Sequence, residues 1–268
     1  MVEIREESSE PHYSGSTNTH SRARQEGESD PNVGVSALEF LKNQPSEVAL
    51  FLTRLITIYC SLSYVLPVGK LSAQHTAYSR AFFAAAATNA IRLHQRVGGV
   101  RFSRDFFLSV IAEDACHYLL YSILFVSAAP VTMALLPVFL FAVLHAASFC
   151  KRFCISTGNG TGFVARMLDE FIKNHSSNLL FVIAYSEIFI MPLFVALIFT
   201  GKGSIFFPII YYRFLAFRYM SRRNDTTRIA FWQLRCSLER AVASPSCPLK
   251  VRDCAYAFIR LICRLCPT

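Results

Sequence analysis

Six blocks of apolar residues, several close to 20 residues long, constrain this chain more than any other feature. They run from about Val48 to Val68, Tyr78 to Leu93, Phe106 to Ala128, from beyond Pro130 to Phe149, Leu179 to Thr200 and Ile205 to Phe217. Crossing a hydrocarbon core of about 30 Å takes about 20 apolar residues in a helix. Only 17% of the 268 residues are charged, against roughly 25% in soluble domains. The chain therefore lacks the polar shell that a soluble core of this size needs. In lipid every backbone N–H and C=O must be bonded within the chain, which a helix does locally. The expected fold is all-α: a polytopic helical membrane protein with about six membrane helices in three hairpins, 48–93, 106–149 and 179–217, plus C-terminal amphipathic helices. The second and sixth runs are short for complete spans, and the second fits a tilted or re-entrant helix.

Charge divides the chain into three parts. Residues 1–46 are polar, acidic and poor in apolar residues, and read as a disordered N-terminal tail with no signal peptide. Residues 47–217 form the helical membrane domain. Residues 218–268 form a basic amphipathic tail with ten bases and three acids, whereas residues 1–47 carry nine acids and four bases. Bases also cluster at 92–104 and 151–173, and the intervening turns are short and nearly uncharged. Alternating hairpins put all the basic segments on one side, which the positive-inside rule assigns to the cytosol together with both termini. The sequons at Asn159, Asn174 and Asn224 fall on that side and are expected to carry no glycan. Excess base on such a chain points to anionic lipid. No nucleic-acid motif accompanies it, and no nucleic-acid partner is expected.

The basic tail contains two helical patterns. In the first, Phe231, Leu234, Leu238, Ala241 and Val242 share one face, with Trp232 at its edge and Arg228, Arg235 and Arg240 off the stripe. Pro245 and Pro248 break the chain. In the second, Val251, Cys254, Ala255, Phe258, Leu261, Ile262 and Leu265 repeat the spacing, among Lys250, Arg252, Arg260 and Arg264. One reading is a pair of interfacial helices, with Phe231, Trp232, Leu234, Leu238, Phe258, Leu261, Ile262 and Leu265 entering the acyl boundary. Arg228, Arg235, Arg252, Arg260 and Arg264 would then meet head groups. The other reading is packing of these faces on the membrane domain or on each other.

Ionisable residues inside apolar runs are the remaining signal. Glu113, Asp114 and His117 share a helix face in the third run. His145 and Glu187 lie in the fourth and fifth, and Arg54 and Arg92 in or beside the first two. Such groups are costly in a span and face a bundle interior, a cavity or a partner. Glu113, Asp114, His117, Glu187, Arg54 and Arg92 are therefore candidates for one intramembrane polar cluster. Carboxylate and imidazole at helical spacing also suit a metal or a proton relay, and with it a small channel, transporter or channel modulator. No second helix supplies a matching Glu-x-x-His pair, so a structural cluster is the expectation, with no metal and no cofactor. Nine cysteines cannot all pair within one chain. Cys263-x-x-Cys266 with Cys247 and Cys254 has irregular spacing for zinc, and free or acylated thiols are expected, Cys150 and Cys154 included. No phosphate loop, nucleophile elbow or zinc-protease motif is present, and no enzymatic activity is expected.

Thr53-Arg54-Leu55, Ile91-Arg92-Leu93-His94-Gln95-Arg96 and Glu113-Asp114-Ala115-Cys116-His117-Tyr118 resemble the transmembrane protein 33 family, which includes Krüppel homologue 2. So do Pro130-Val131-Thr132-Met133, Leu144-His145-Ala146-Ala147, Glu187-Ile188-Phe189-Ile190-Met191-Pro192, Tyr211-Tyr212-Arg213-Phe214-Leu215 and the Cys247-Pro248-Leu249 turn. The resemblance spans about residues 48–267, leaving the acidic tail outside. It implies residence in the endoplasmic reticulum and nuclear envelope. It also implies organisation of the tubular network beside membrane-shaping proteins such as reticulons, an influence on nuclear pore distribution, and modulation of the unfolded-protein response. It implies curved-membrane binding by the C-terminal amphipathic region and defines no catalytic residues.

Overall fold

The computed structural model describes residues 36–66, 71–97, 103–201, 203–221, 224–244 and 247–266. The acidic tail through residue 35, the turn at Gly69 and Lys70, the Gly98-Gly99 break with Arg101, and Lys202 lie outside the described residues. Among the described residues every regular element is an α-helix: α1 (Ala37–Asn43), α2 (Pro45–Val65), α3 (Leu71–Val97), α4 (Arg104–Ala112), α5 (Asp114–Ser127), α6 (Thr132–Ser156), α7 (Phe163–Phe199), α8 (Phe206–Met220), α9 (Asp225–Val242) and α10 (Leu249–Leu265). The short α1 occupies the end of the segment assigned to the acidic tail. Its Phe40 ring meets Phe153 edge-on at 5.6 Å, which draws that stretch onto the membrane domain.

Among the described residues all six apolar runs are helical over most of their length, but three helices are each long and apolar enough to cross a membrane: α2, α6 and α7. The pair α4 and α5 would make a fourth, but it is bent by 77°. α3 has the length, yet Arg80, Asn89 and Arg92 interrupt it. α8 has 15 residues, about 22 Å of helix.

The third run is thus not one helix, as the sequence suggested. Ser103 caps α4 by accepting a hydrogen bond from the Phe106 amide at 3.3 Å. Glu113 then adopts an extended conformation (φ −86°, ψ 128°), and α5 begins at Asp114. A charged side chain at the bilayer centre costs several kcal/mol. Breaking the helix here moves both acids to the start of α5, where the positive end of the helix dipole favours them. Conversely, the amphipathic segment 163–171 and the run from Leu179 to Thr200 join in one helix of 37 residues. At about 55 Å, α7 exceeds the hydrocarbon core, so its polar first half projects beyond it. The turn into α8 uses Gly201 at φ +70°, and a Cβ on Gly203 would stand 3.0 Å from the Leu197 carbonyl carbon.

α2 packs on α3 and α6, α3 on α5, α6 on α7, and α7 on α8 and α9. The expected hairpins 48–93 and 179–217 are present. The 106–149 pair is looser: α5 packs mainly on α3, and α6 mainly on α2 and α7. Lipid tails are as apolar as leucine, so close packing and hydrogen bonds hold such helices together. Here an aromatic core does so. The Phe125 ring stacks on Phe82 at 5.6 Å and on Phe194 at 5.5 Å. The buried tyrosines each find a partner: the Tyr121 hydroxyl donates to the Ala134 carbonyl at 2.8 Å, and the Tyr78 hydroxyl accepts from the Val131 amide at 3.2 Å.

Ion pairs tie the helix ends. Arg152 donates to Glu47 at 2.9 Å, joining the end of α6 to the start of α2. Lys151 meets Asp169 at 2.6 Å. Arg96, at the end of α3, meets Glu113 at 2.8 Å, and Ser221, after α8, donates to Asp114 at 2.8 Å. The described parts of the basic segments thereby gather at one end of the helix assembly.

Candidate functional site

Glu187 lies in the apolar half of α7 with 0% exposure. The Tyr118 hydroxyl of α5 donates to its Oε1, and Arg218 Nε of α8 donates to its Oε2 at 3.2 Å. Arg218 is itself only 3% exposed. Its Nη1 stands 3.4 Å from Asp114 Oδ1, and its guanidinium carbon stands 5.0 Å from the Tyr118 ring centre. With the Asn224 amide turned to satisfy both of its ends, its oxygen accepts from Arg218 Nη2 at 2.7 Å. The Tyr211 hydroxyl donates to the Glu187 carbonyl at 2.7 Å. His117 completes the edge: its Nε2 is 2.7 Å from the Ile111 carbonyl oxygen, its Nδ1 is 3.7 Å from Asp114, and its ring stacks on Phe217.

This cluster joins the start of α5, the middle of α7 and the end of α8. Both Glu187 oxygens are used, and the guanidinium stands where a cation would have to sit. Among the described residues no group of three His, Cys, Asp or Glu is arranged to hold a metal ion. What this arrangement can supply is cohesion between helices. A buried carboxylate deprived of its arginine is destabilising by about 3–5 kcal/mol, so the three helices are held in one register.

The six residues expected in one cluster divide among three places. Asp114, His117 and Glu187 meet around Arg218. Glu113 faces away, towards Arg96. Arg54 and Arg92 belong to α2 and α3, where Arg92 Nη1 stands 3.1 Å from His145 Nε2 and Arg54 is 3% exposed. Sequence reasoning missed Arg218, which it counted with the basic tail, and Tyr118. Two signals pointed to them. Tyr118 sits four residues after Asp114, on the same helix face. Arg218 immediately follows the sixth apolar run, within α8 and five residues after Arg213, the base inside the run, which is exposed instead.

The two tail helices differ. α9 docks on α7 and α8: Thr227 and Ala230 are fully buried, Phe231 meets the Tyr219 ring edge-on, and the Tyr185 hydroxyl donates to Gln233 at 2.5 Å. Phe231, Leu234 and Leu238 are half-buried and Val242 is buried, whereas Trp232 and Ala241 are exposed. Arg228 binds Asp225 and donates to the Ser221 carbonyl at 3.1 Å, so it closes the α8–α9 turn. Arg235 meets Glu239 at 2.8 Å. α10 touches α9, and at its end the Tyr212 hydroxyl donates to the Leu265 carbonyl at 2.7 Å. Its Val251, Phe258, Leu261, Ile262 and Leu265 are exposed, as are Arg260 and Arg264, while Arg252 is half-buried. The described cysteines are free thiols, with Cys254 and Cys263 exposed on this helix.

The sequence profile of the family Transmembrane protein 33/Nucleoporin POM33 matches residues 30–268. The chain belongs to this family. The match begins ahead of the Thr53 motif and takes in α1, so most of the acidic tail alone stands outside the family. Transmembrane protein 33 of Homo sapiens is 43% identical over 235 residues, covering 88% of this chain and 95% of the relative. Transmembrane protein 33 homolog of Caenorhabditis elegans is 42% identical over 233 residues, covering 87% and 86%. Krueppel homolog 2 of Drosophila melanogaster is 37% identical over 237 residues, covering 88% and 84%. No solved structure matches. This member of the Transmembrane protein 33 family buries an ion-pair cluster between α5, α7 and α8, and its α10 leaves large apolar side chains exposed.

Proposed function

We propose that this protein resides in the endoplasmic reticulum membrane and the nuclear envelope and organises membrane shape there as a curvature-binding scaffold. The supporting observation is α10. Phe258 and Leu261 are each 53% exposed on a helix that also exposes Arg260 and Arg264. That helix docks at the end of the assembly where the basic segments gather. Such a face gains most where lipid packing is loose and the leaflet is anionic. In this reading both termini face the cytosol, and the ionisable residues inside the spans serve packing rather than catalysis or conduction. Glu187 is fully buried with both oxygens bonded, which supports packing over conduction. Membrane-shaping proteins such as reticulons, and nuclear pore components, are the protein partners this role would require. The family description's naming of a nucleoporin supports the nuclear-envelope part.

Fluorescently tagged protein imaged in living cells tests the location and the role together. The expected pattern is the tubular reticulum and the nuclear rim, with the Phe258→Glu/Leu261→Glu variant losing its preference for tubules over sheets. Signal at the plasma membrane, or a variant distributed like the wild type, would contradict the proposal.

A further inference from the structure

α4 takes no part in the ion-pair cluster or in the α10 surface. It is a nine-residue helix that leaves α5 at 77°, so it runs across the direction of the α5 span. At about 100° per residue, Phe106, Val110, Phe107, Ile111 and Leu108 fill one continuous arc of its surface. Asp105 and Ser109 close the other side; Arg104, exposed at the first position of the helix, falls within the arc one turn before Leu108, where its long side chain can reach the head groups. Phe106 and Val110 are half-buried, and α4 touches α3 and α5. Phe107, Leu108 and Ile111 are 52%, 57% and 41% exposed. These large side chains lie three to seven residues before α5, and among the described residues about half of their surface is left uncovered.

The junction fixes that placement. Glu113 is held by Arg96 of α3 at 2.8 Å. The next residue, Asp114, is held by Ser221 at 2.8 Å and faces Arg218 at 3.4 Å. Straightening α4 onto α5 would carry two acids into the middle of a span and break both sets of contacts. The 77° turn away from α5, with Asp105 and Ser109 together on one side of the helix, suits a helix lying in the interface rather than crossing it.

We propose that α4 is an interfacial helix that buries Phe107, Leu108 and Ile111 among lipid acyl chains, with Asp105 and Ser109 towards water. The Glu113–Asp114 junction then marks the edge of the hydrocarbon core. Below it α5 has 14 residues and α8 has 15, each about 21–22 Å against a core of about 30 Å. The bilayer beside this pair must thin, or the pair must insert mostly through one leaflet. The inference rests only on the chain spanning the bilayer, and it holds whether or not α10 selects curved membrane.

The sequence contains one tryptophan, Trp232, which permits a direct test in the full chain. In a Trp232→Phe background, single Phe107→Trp, Leu108→Trp, Ile111→Trp and Ser109→Trp variants are reconstituted in phosphatidylcholine vesicles. The lipids are brominated near the top or near the end of the acyl chain. The first three positions are expected to be quenched, all more strongly by the shallow bromines and with one common depth. Position 109 is expected to respond to aqueous iodide instead. A steady change of depth from 107 to 111, about 6 Å for a crossing helix, would overturn the proposal. Shielding of 107, 108 and 111 from both bromine and iodide would overturn it too, by showing that protein covers this face.

Discussion

Arginine and aromatic residues are used in opposite ways in two regions of this fold. At the α5–α7–α8 junction, Arg218 is enclosed, faces Glu187 and Asp114, and lies over the Tyr118 ring. On α10, Arg260 and Arg264 are exposed beside Phe258 and Leu261. The sequence around each is similar: an apolar helix with interspersed bases. Balancing carboxylates make the difference. α5 and α7 deliver Asp114 and Glu187 to Arg218, whereas α10 contains one acid, Asp253. A base with a buried acid becomes an internal staple. A base without one remains at the surface, where an anionic leaflet is the natural counter-charge.

Breaking the enclosed pair should have the largest effect. Arg218→Ala is expected to lower stability by about 3–5 kcal/mol, because Glu187 is left charged and buried. Thermal unfolding of the detergent-solubilised protein reads this, and adding Glu187→Gln should restore part of the loss. A melting temperature unchanged by Arg218→Ala would show that the junction is not what holds the helices. Tyr118→Phe removes one donor from Glu187 and should cost about 1–3 kcal/mol in the same assay. Arg96→Gln should cost less, about 1 kcal/mol or below, because Arg96 is substantially exposed. A loss rivalling that of Arg218→Ala would erase the contrast between enclosed and open pairs.

The smallest effect is expected from Asp169. It lies about ten residues before the apolar half of α7, outside the membrane. Hydrogen bonds from Lys151 and Lys173 hold its carboxyl below the ordinary carboxylate range. A depressed value in the folded state means that the pair's contribution is complete above the unfolded pKa. It fades as pH falls through the folded one. Asp169→Asn should therefore lower stability slightly at neutral pH, leave it unchanged at low pH, and so flatten the acid side of the profile. An identical acid slope in wild type and variant would remove the pair from the picture.

Much of this was legible beforehand, for identifiable reasons. The spans follow from runs of apolar residues, because every backbone group in lipid must be bonded locally. The stripe of α10 follows from its 3.6-residue period. The same period in α9 misled: Phe231, Leu234 and Leu238 look like a lipid face but rest half-buried in protein. Periodicity identifies an apolar face and cannot name what covers it. The break at Glu113 was missed because an apolar run was read through its charges. Arg218 was missed because the residue closing a span was grouped with the tail that follows it. In both cases the informative quantity was charge balance across helices distant in sequence, which no single window contains.

The most direct test concerns the open face of α10. Full-length protein in giant vesicles containing anionic lipid, from which narrow membrane tubes are pulled, reports its enrichment on the tube relative to the flat surface. Wild-type protein should be enriched on the tube. The Phe258→Glu/Leu261→Glu variant should lose that enrichment while keeping its melting temperature, since those side chains are exposed in the fold. Equal enrichment of variant and wild type, or no enrichment of either, would contradict the assignment of α10 as the surface that binds curved membrane.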